Sequence, residues 1–132
     1  MKKIGFLIVA LAMVTLLSSC KKDEPILGAN VKVTVKNYLG IVQKGTTVYM
    51  YKDHEPNNNT RPSEAKQQVI TDDNGVAEFR LNFANLDIFE SQTSLYFAVF
   101  YTNNDGETRV AGSTGVTVKR DESKNLDLTI PL

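Results

Sequence analysis

The chain has 132 residues, with 15 basic and 15 acidic side chains, one histidine, one cysteine and no tryptophan. An even charge balance argues against a clustered basic face for nucleic acid, and a single cysteine excludes an internal disulfide framework. A metal site needs about three or four convergent ligands, and one histidine without a free thiol partner makes a poor start on one.

The N-terminus reads as an export signal. Lys2 and Lys3 precede an apolar and small-residue run from Ile4 to Leu17, and small residues lead to Cys20. A basic start, a short apolar run and small residues before a cut form a secretory signal. The run is also too short for a comfortable membrane-spanning helix. The ending Leu17-Ser18-Ser19-Cys20 resembles the lipobox of bacterial lipoproteins. That resemblance implies acylation of Cys20, cleavage just before it, and a lipid that holds the chain in a membrane. It also accounts for the lone cysteine, whose thiol the lipid consumes. Removing residues 1–19 leaves 113 residues, with 13 basic against 15 acidic. A chain of that size forms one domain and needs no covalent staple.

Lys21-Lys22-Asp23-Glu24 follows at once. As a short charge run it reads as a solvated tether. Lys22, Asp23 and Glu24 also resemble the surface-export signal of Bacteroidetes lipoproteins. Residues 20–30 are expected to be the lipidated tether, with Pro25 and Gly28 as breakers, and residues 31–132 the folded domain.

From Val31 the pattern has a period of two. Val31, Val33 and Val35 alternate with polar residues, and Asn37-Tyr38-Leu39-Gly40 turns the chain. Thr46 to Tyr51 is a second strand, with Val48 and Met50 on one face and Thr47, Tyr49 and Tyr51 on the other. Asp53 to Lys66, with two prolines and three asparagines, reads as a long exposed loop. Gln68 to Thr71 and Val76 to Phe83 flank Asp72-Asp73-Asn74-Gly75, a strong hairpin signal. Ala84 to Gln92 breaks the alternation. Leu95 to Tyr101 is the most apolar strand, and Asn103-Asn104-Asp105-Gly106 repeats the hairpin signal. Thr108 to Val110 and Val116 to Val118 flank a glycine-bounded stretch expected to hold a bulge or a short crossover. Leu126, Leu128 and Ile130 alternate in the last strand, where Pro131 predicts an edge position.

About seven short strands with turns between them predict an all-β fold. The expected form is an antiparallel β-sandwich, immunoglobulin-like or transthyretin-like. Its core is expected from Val31, Val33, Val35, Val48, Met50, Phe79, Leu81, Phe97, Val99, Val116, Val118, Leu126, Leu128 and Ile130.

The Val31-x-Val33-x-Val35 strand, Gly40, Thr46 to Met50 and the Thr71-Asp72-Asp73-Asn74-Gly75-Val76-Ala77-Glu78-Phe79 hairpin resemble the transthyretin-like, carboxypeptidase-regulatory group of sandwiches. That resemblance implies a non-catalytic module of secreted and cell-surface proteins. Val42 to Thr47 replaces the group's usual lead into the second strand. The group's hydroxyisourate hydrolases depend on histidines and a C-terminal Tyr-Arg-Gly-Ser, whereas this chain ends Thr129-Ile130-Pro131-Leu132.

Chemistry-bearing motifs are few. His54 lies in the long loop, and Asp72 to Gly75 lacks the spaced oxygen ligands of a calcium loop. Asn58-Asn59-Thr60 is formally a glycosylation sequon, read as loop composition in a bacterial chain. No enzyme activity, cofactor or metal is expected. The expected partners are the membrane, through the lipid on Cys20, and an envelope protein; no nucleic acid is expected, and a small-molecule ligand is left open. The expected location is the bacterial outer membrane, facing the periplasm or the cell surface. A polymerising, fimbrial-type subunit is the alternative.

One surface stands out. Tyr96, Ala98 and Phe100 fall on the outward parity of the fifth strand, and Tyr49 and Tyr51 on that of the second. If the two strands are neighbours, Tyr49, Tyr51, Tyr96 and Phe100 form a candidate binding patch. The competing expectation is that Ala84 to Gln92, with Leu86, Ile88 and Phe89, folds over that face.

Overall fold

The computed structural model describes residues 28–131, so Cys20, Lys22, Asp23, Glu24, the rest of the signal and tether up to residue 27, and Leu132 lie outside the described residues. Seven strands follow in order: β1 (Gly28–Asn37), β2 (Thr47–Tyr51), β3 (Gln67–Ile70), β4 (Val76–Asn82), β5 (Gln92–Thr102), β6 (Thr108–Lys119) and β7 (Ser123–Ile130). They form two sheets, β4-β1-β7 and β3-β2-β5-β6, packed as a β-sandwich.

The expected seven-strand sandwich is therefore observed, with one departure from an antiparallel arrangement. β1 and β7 pair in parallel over Asn30↔Ser123 to Asn37↔Ile130. Successive strands run alternately up and down, so two odd-numbered strands placed side by side must be parallel. β7 occupies a sheet edge and ends just before Pro131, the position a residue without an N–H requires.

β1 starts three residues earlier than the sequence pattern indicates. Gly28 to Asn30 continue the ladder opposite Asn82 to Arg80, and Ala29 is buried on the parity of Val31. An alanine and a glycine hid this turn of the alternation by offering little apolar bulk. The glycine-bounded stretch of β6 is a continuous strand rather than a crossover. Val99 pairs with Gly112 and Phe100 with Val110, leaving Ala111 as the extra residue of a bulge. A Cβ on Gly112 would lie 2.3 Å from the Thr129 carbonyl oxygen, so glycine lets β6 pass close to β7 where the edges of the two sheets meet.

The core lies between the sheets. Phe79 of β4 meets Phe97 of β5 across the sandwich, with ring centroids 4.9 Å apart. The expected core residues are buried, apart from Val116 and Leu126, which are half-buried and pack against the others from the edge strands. Phe83, Ile88 and Leu95 complete the cluster.

Three turns share one construction. In each, an Asn or Asp side-chain oxygen accepts from the backbone N–H groups two and four residues on, and a positive-φ glycine follows at the third. Asn37 with Gly40, Asp72 with Gly75 and Asn103 with Gly106 are the three pairs. Strand directions put all three at one end of the sandwich. The start of β1, the 83–91 segment and the β6–β7 turn lie at the other.

Candidate functional site

β2 and β5 are neighbours in the four-stranded sheet, with Tyr49 opposite Ala98 and Tyr51 opposite Tyr96. The outward aromatics therefore do come together. The Tyr49 and Phe100 rings meet edge to face at 5.4 Å, and Tyr51 and Phe100 at 6.4 Å. Tyr96 takes another neighbour. A Cβ on Gly115 of β6 would lie 3.0 Å from the Tyr96 ring, which lies beside the exposed glycine opposite it. Tyr49, Tyr96 and Phe100 are half-buried, whereas Tyr51 is only 4% exposed.

The cover on Tyr51 is not the 84–92 segment. That segment buries Ile88 in the core, half-buries Leu86 and leaves Phe89 exposed. Instead the loop between β2 and β3 folds over the sheet. The Tyr51 hydroxyl donates to the Arg61 carbonyl at 2.8 Å. Burial, reinforced by the Glu64 carboxylate and by Tyr49, pushes the Tyr51 phenol up to about 12.

This loop is more ordered than its asparagines and prolines indicate. Thr60 is buried and its Oγ1 accepts from Asn57 N–H at 2.9 Å, while Thr60 N–H donates to the Asn57 carbonyl at 3.0 Å. The Glu64 carboxylate accepts from Arg61 N–H at 2.9 Å at the head of a single 3-10 turn, Pro62–Glu64. Pro56 is buried. Lys66 N–H then donates to the Met50 carbonyl at 2.8 Å and returns the chain to the sheet.

Between loop and sheet runs an open cleft of about 430 Å³, lined by Thr46, Thr47, Tyr49, Pro62, Phe100, Tyr101 and their neighbours. Past Pro62 and Thr108 it continues into a more polar cleft of about 550 Å³ bounded by Asn58, Asn59, Arg61, Ser63 and Glu107. Aromatic faces, hydroxyls and amides thus line one continuous surface. The sequence pattern marks neither Pro62, because loop residues carry no parity, nor Tyr101, which shares the inward parity of β5 yet is exposed near the end of that strand.

The remaining sequence motifs are explained by turns. The Asp72 carboxylate is used by its own hairpin, and Asp73 pairs with Lys44 at 3.0 Å. His54 is exposed in the loop. Among the described residues, no group of three or more His, Cys, Asp or Glu side chains is placed to hold a metal ion. No described helix is long and apolar enough to cross a membrane.

No family model and no curated protein matches the chain. Among solved structures it is similar to a 9R-lipoxygenase from Cyanothece PCC8801, with a TM-score of 0.53 and 16% identity over 82% of this chain. The match spans only 17% of the lipoxygenase, so the likeness is one of fold alone. A chlorocatechol 1,2-dioxygenase from Pseudomonas putida aligns with a TM-score of 0.41 and 12% identity, over 79% of this chain and 60% of the enzyme.

Proposed function

We propose that this chain is a lipid-anchored, non-catalytic β-sandwich module of the bacterial cell envelope, which binds a partner within an envelope complex. The observation that carries the reading is Leu17-Ser18-Ser19-Cys20 standing eight residues ahead of Gly28, the first residue of β1. A cleavable address followed so closely by a domain leaves little chain for anything but a tether. The turn chemistry from Val31 to Phe79 supports kinship with the transthyretin-like, carboxypeptidase-regulatory group. Lys22, Asp23 and Glu24 support display on the outer surface of the outer membrane. The cleft along Tyr49, Phe100 and Tyr101 is the candidate binding surface.

Two measurements test this. Intact mass of the mature chain reads acylation, which Cys20→Ala abolishes; a Cys20→Ala chain that still partitions with lipid at the wild-type mature mass refutes the anchor. Pull-down from detergent-solubilised envelope, with wild type beside Tyr101→Ser, reads the binding surface. Tyr101 is 45% exposed, so the change leaves the fold intact. Partners retained equally by both chains refute the cleft as their site.

One observation favours a polymerising subunit instead: β7 is an eight-residue strand at a sheet edge, the kind of element that strand exchange uses. Concentration-dependent oligomers of the mature domain on size exclusion support that alternative, and a monomer supports the first reading.

A further inference from the structure

The end of the sandwich where β1 begins is tied together by its backbone. Asp121 N–H donates to the Gly28 carbonyl at 2.6 Å, and Arg120 N–H to the Ser91 carbonyl at 3.2 Å. Within the 83–91 segment, Ile88 N–H donates to the Phe83 carbonyl at 2.8 Å, and the Ile88 side chain is buried. The Arg120 guanidinium donates to the Ile88 carbonyl at 3.3 Å while lying over the Phe83 ring, 5.0 Å from its centroid. The next residue, Phe89, is 81% exposed, more than any other large apolar side chain among the described residues. An aromatic ring is thus held out into solvent by a backbone fixed on its N-terminal side. Among the described residues none covers it.

Where the chain leaves this end says what the ring meets. Eight Cα steps separate Cys20 from Gly28, a reach of at most about 29 Å at full extension. We propose that this end is a membrane-docking face, with Phe89 entering the headgroup layer of the membrane that holds the Cys20 lipid. The proposal rests on the lipid-anchor reading above. Aromatic rings are favoured at that depth, where an apolar face leaves water without losing a polar partner. Charge around the ring is of both signs. Lys52, Lys119, Arg120 and Lys124 are interspersed with Asp53, Asp87, Glu90, Asp121 and Glu122 at this end, so no single-sign patch calls for anionic lipid, and docking is to a zwitterionic surface and depends little on salt.

The opposite end also exposes apolar side chains, Tyr38 at 69% and Leu39 at 70%. β1 separates the two ends by roughly 30 Å. Bringing the Tyr38 turn to the lipid with the strands upright would need the tether at full stretch. Docking through Phe89 leaves that turn, and its two companions, facing away from the membrane.

The chain contains no tryptophan, so single-tryptophan variants report depth directly. Phe89→Trp and Tyr38→Trp, each in the acylated full chain, are reconstituted into phosphatidylcholine vesicles with and without brominated acyl chains. The expected result is a blue-shifted emission for Phe89→Trp, quenched by at least half in brominated vesicles and unchanged by 0.5 M salt. Tyr38→Trp should emit as in water and lose less than a tenth. An unquenched Phe89→Trp in a chain that co-floats with vesicles overturns the docking face and leaves the anchor standing. Quenching of Tyr38→Trp equal to that of Phe89→Trp also overturns it, in favour of a domain lying flat. A chain that fails to co-float overturns the anchor and the docking face together.

Discussion

The Tyr51 hydroxyl donates to the Arg61 carbonyl at 2.8 Å, and this bond fastens the long β2–β3 loop over the aromatic face of the four-stranded sheet. One side chain therefore serves both the sheet, through its ring against Phe100, and the loop, through its hydroxyl. The Pro62 wall of the cleft depends on where that loop sits.

Tyr51→Phe keeps the ring and removes the clip. A neutral hydrogen bond contributes about 0.5–1.5 kcal/mol net, so the expected loss of stability at pH 7 is about 1 kcal/mol. Limited proteolysis in the 53–63 region should speed up more than that loss alone accounts for. The pH dependence has a definite sign. The folded-state value of about 12 lies above the ordinary phenol value of about 10. The contribution is fully present below about pH 10 and is lost as pH rises from there through 12. Denaturant melts of wild type and Tyr51→Phe should converge over that interval. Parallel curves there would show that the phenol is not held by its burial.

Phe79→Ala tests the centre of the sandwich. Phe79 is fully buried and its ring faces Phe97 from the opposite sheet. Phe→Ala at such a site costs about 3–5 kcal/mol, a large share of the roughly 5–15 kcal/mol that holds a domain folded. Thermal melting should fall by more than 10 °C. A shift of one or two degrees would contradict the placement.

Much of this fold was legible because period-two alternation and turn chemistry are local signals. Val31, Val33 and Val35 name a buried face by themselves, and Asp72 to Gly75 and Asn103 to Gly106 specify their hairpins without help from elsewhere in the chain. What stayed hidden depends on distant partners. Ala29 looks like linker until Leu81 stands opposite it. The parallel pairing of β1 with β7 joins residues about ninety positions apart, and alternation says nothing about which strands become neighbours. The aromatic face is readable as a parity, but the sequence offers only Leu86, Ile88 and Phe89 as an apolar cover for it. Ile88 went into the core instead, and a loop of asparagines and prolines covers the face through backbone hydrogen bonds that composition does not announce.

Thr71 joins two segments in the same covert way. It is buried, its Oγ1 donates to the Gln43 carbonyl at 2.6 Å, and it accepts from Thr46 N–H at 2.8 Å. Thr71→Val keeps the shape but strands a donor and an acceptor, at a cost of about 1–3 kcal/mol. Thr71→Ser should recover most of it, because the hydroxyl returns. Equal stability for the valine and serine variants in urea melts would mean that the hydroxyl contributes through packing alone.

The pair Tyr96 and Gly115 offers the sharpest test of how the outer face is assembled. The two residues stand opposite each other in β5 and β6, and the Tyr96 ring occupies the space where a side chain at 115 would be. Gly115→Val drives methyl groups against that ring, and crowding of this kind costs about 1–3 kcal/mol. Tyr96→Ala alone opens the space beside the glycine and loses the ring's half-buried area. In the double variant the valine fills the space the ring has left, and a β-branched residue suits the strand better than glycine does. The combined loss should therefore be smaller than the sum of the two, with a coupling of about 0.5–3 kcal/mol. Urea melts of the four chains measure it, and simple additivity would show that the ring does not rest on Gly115.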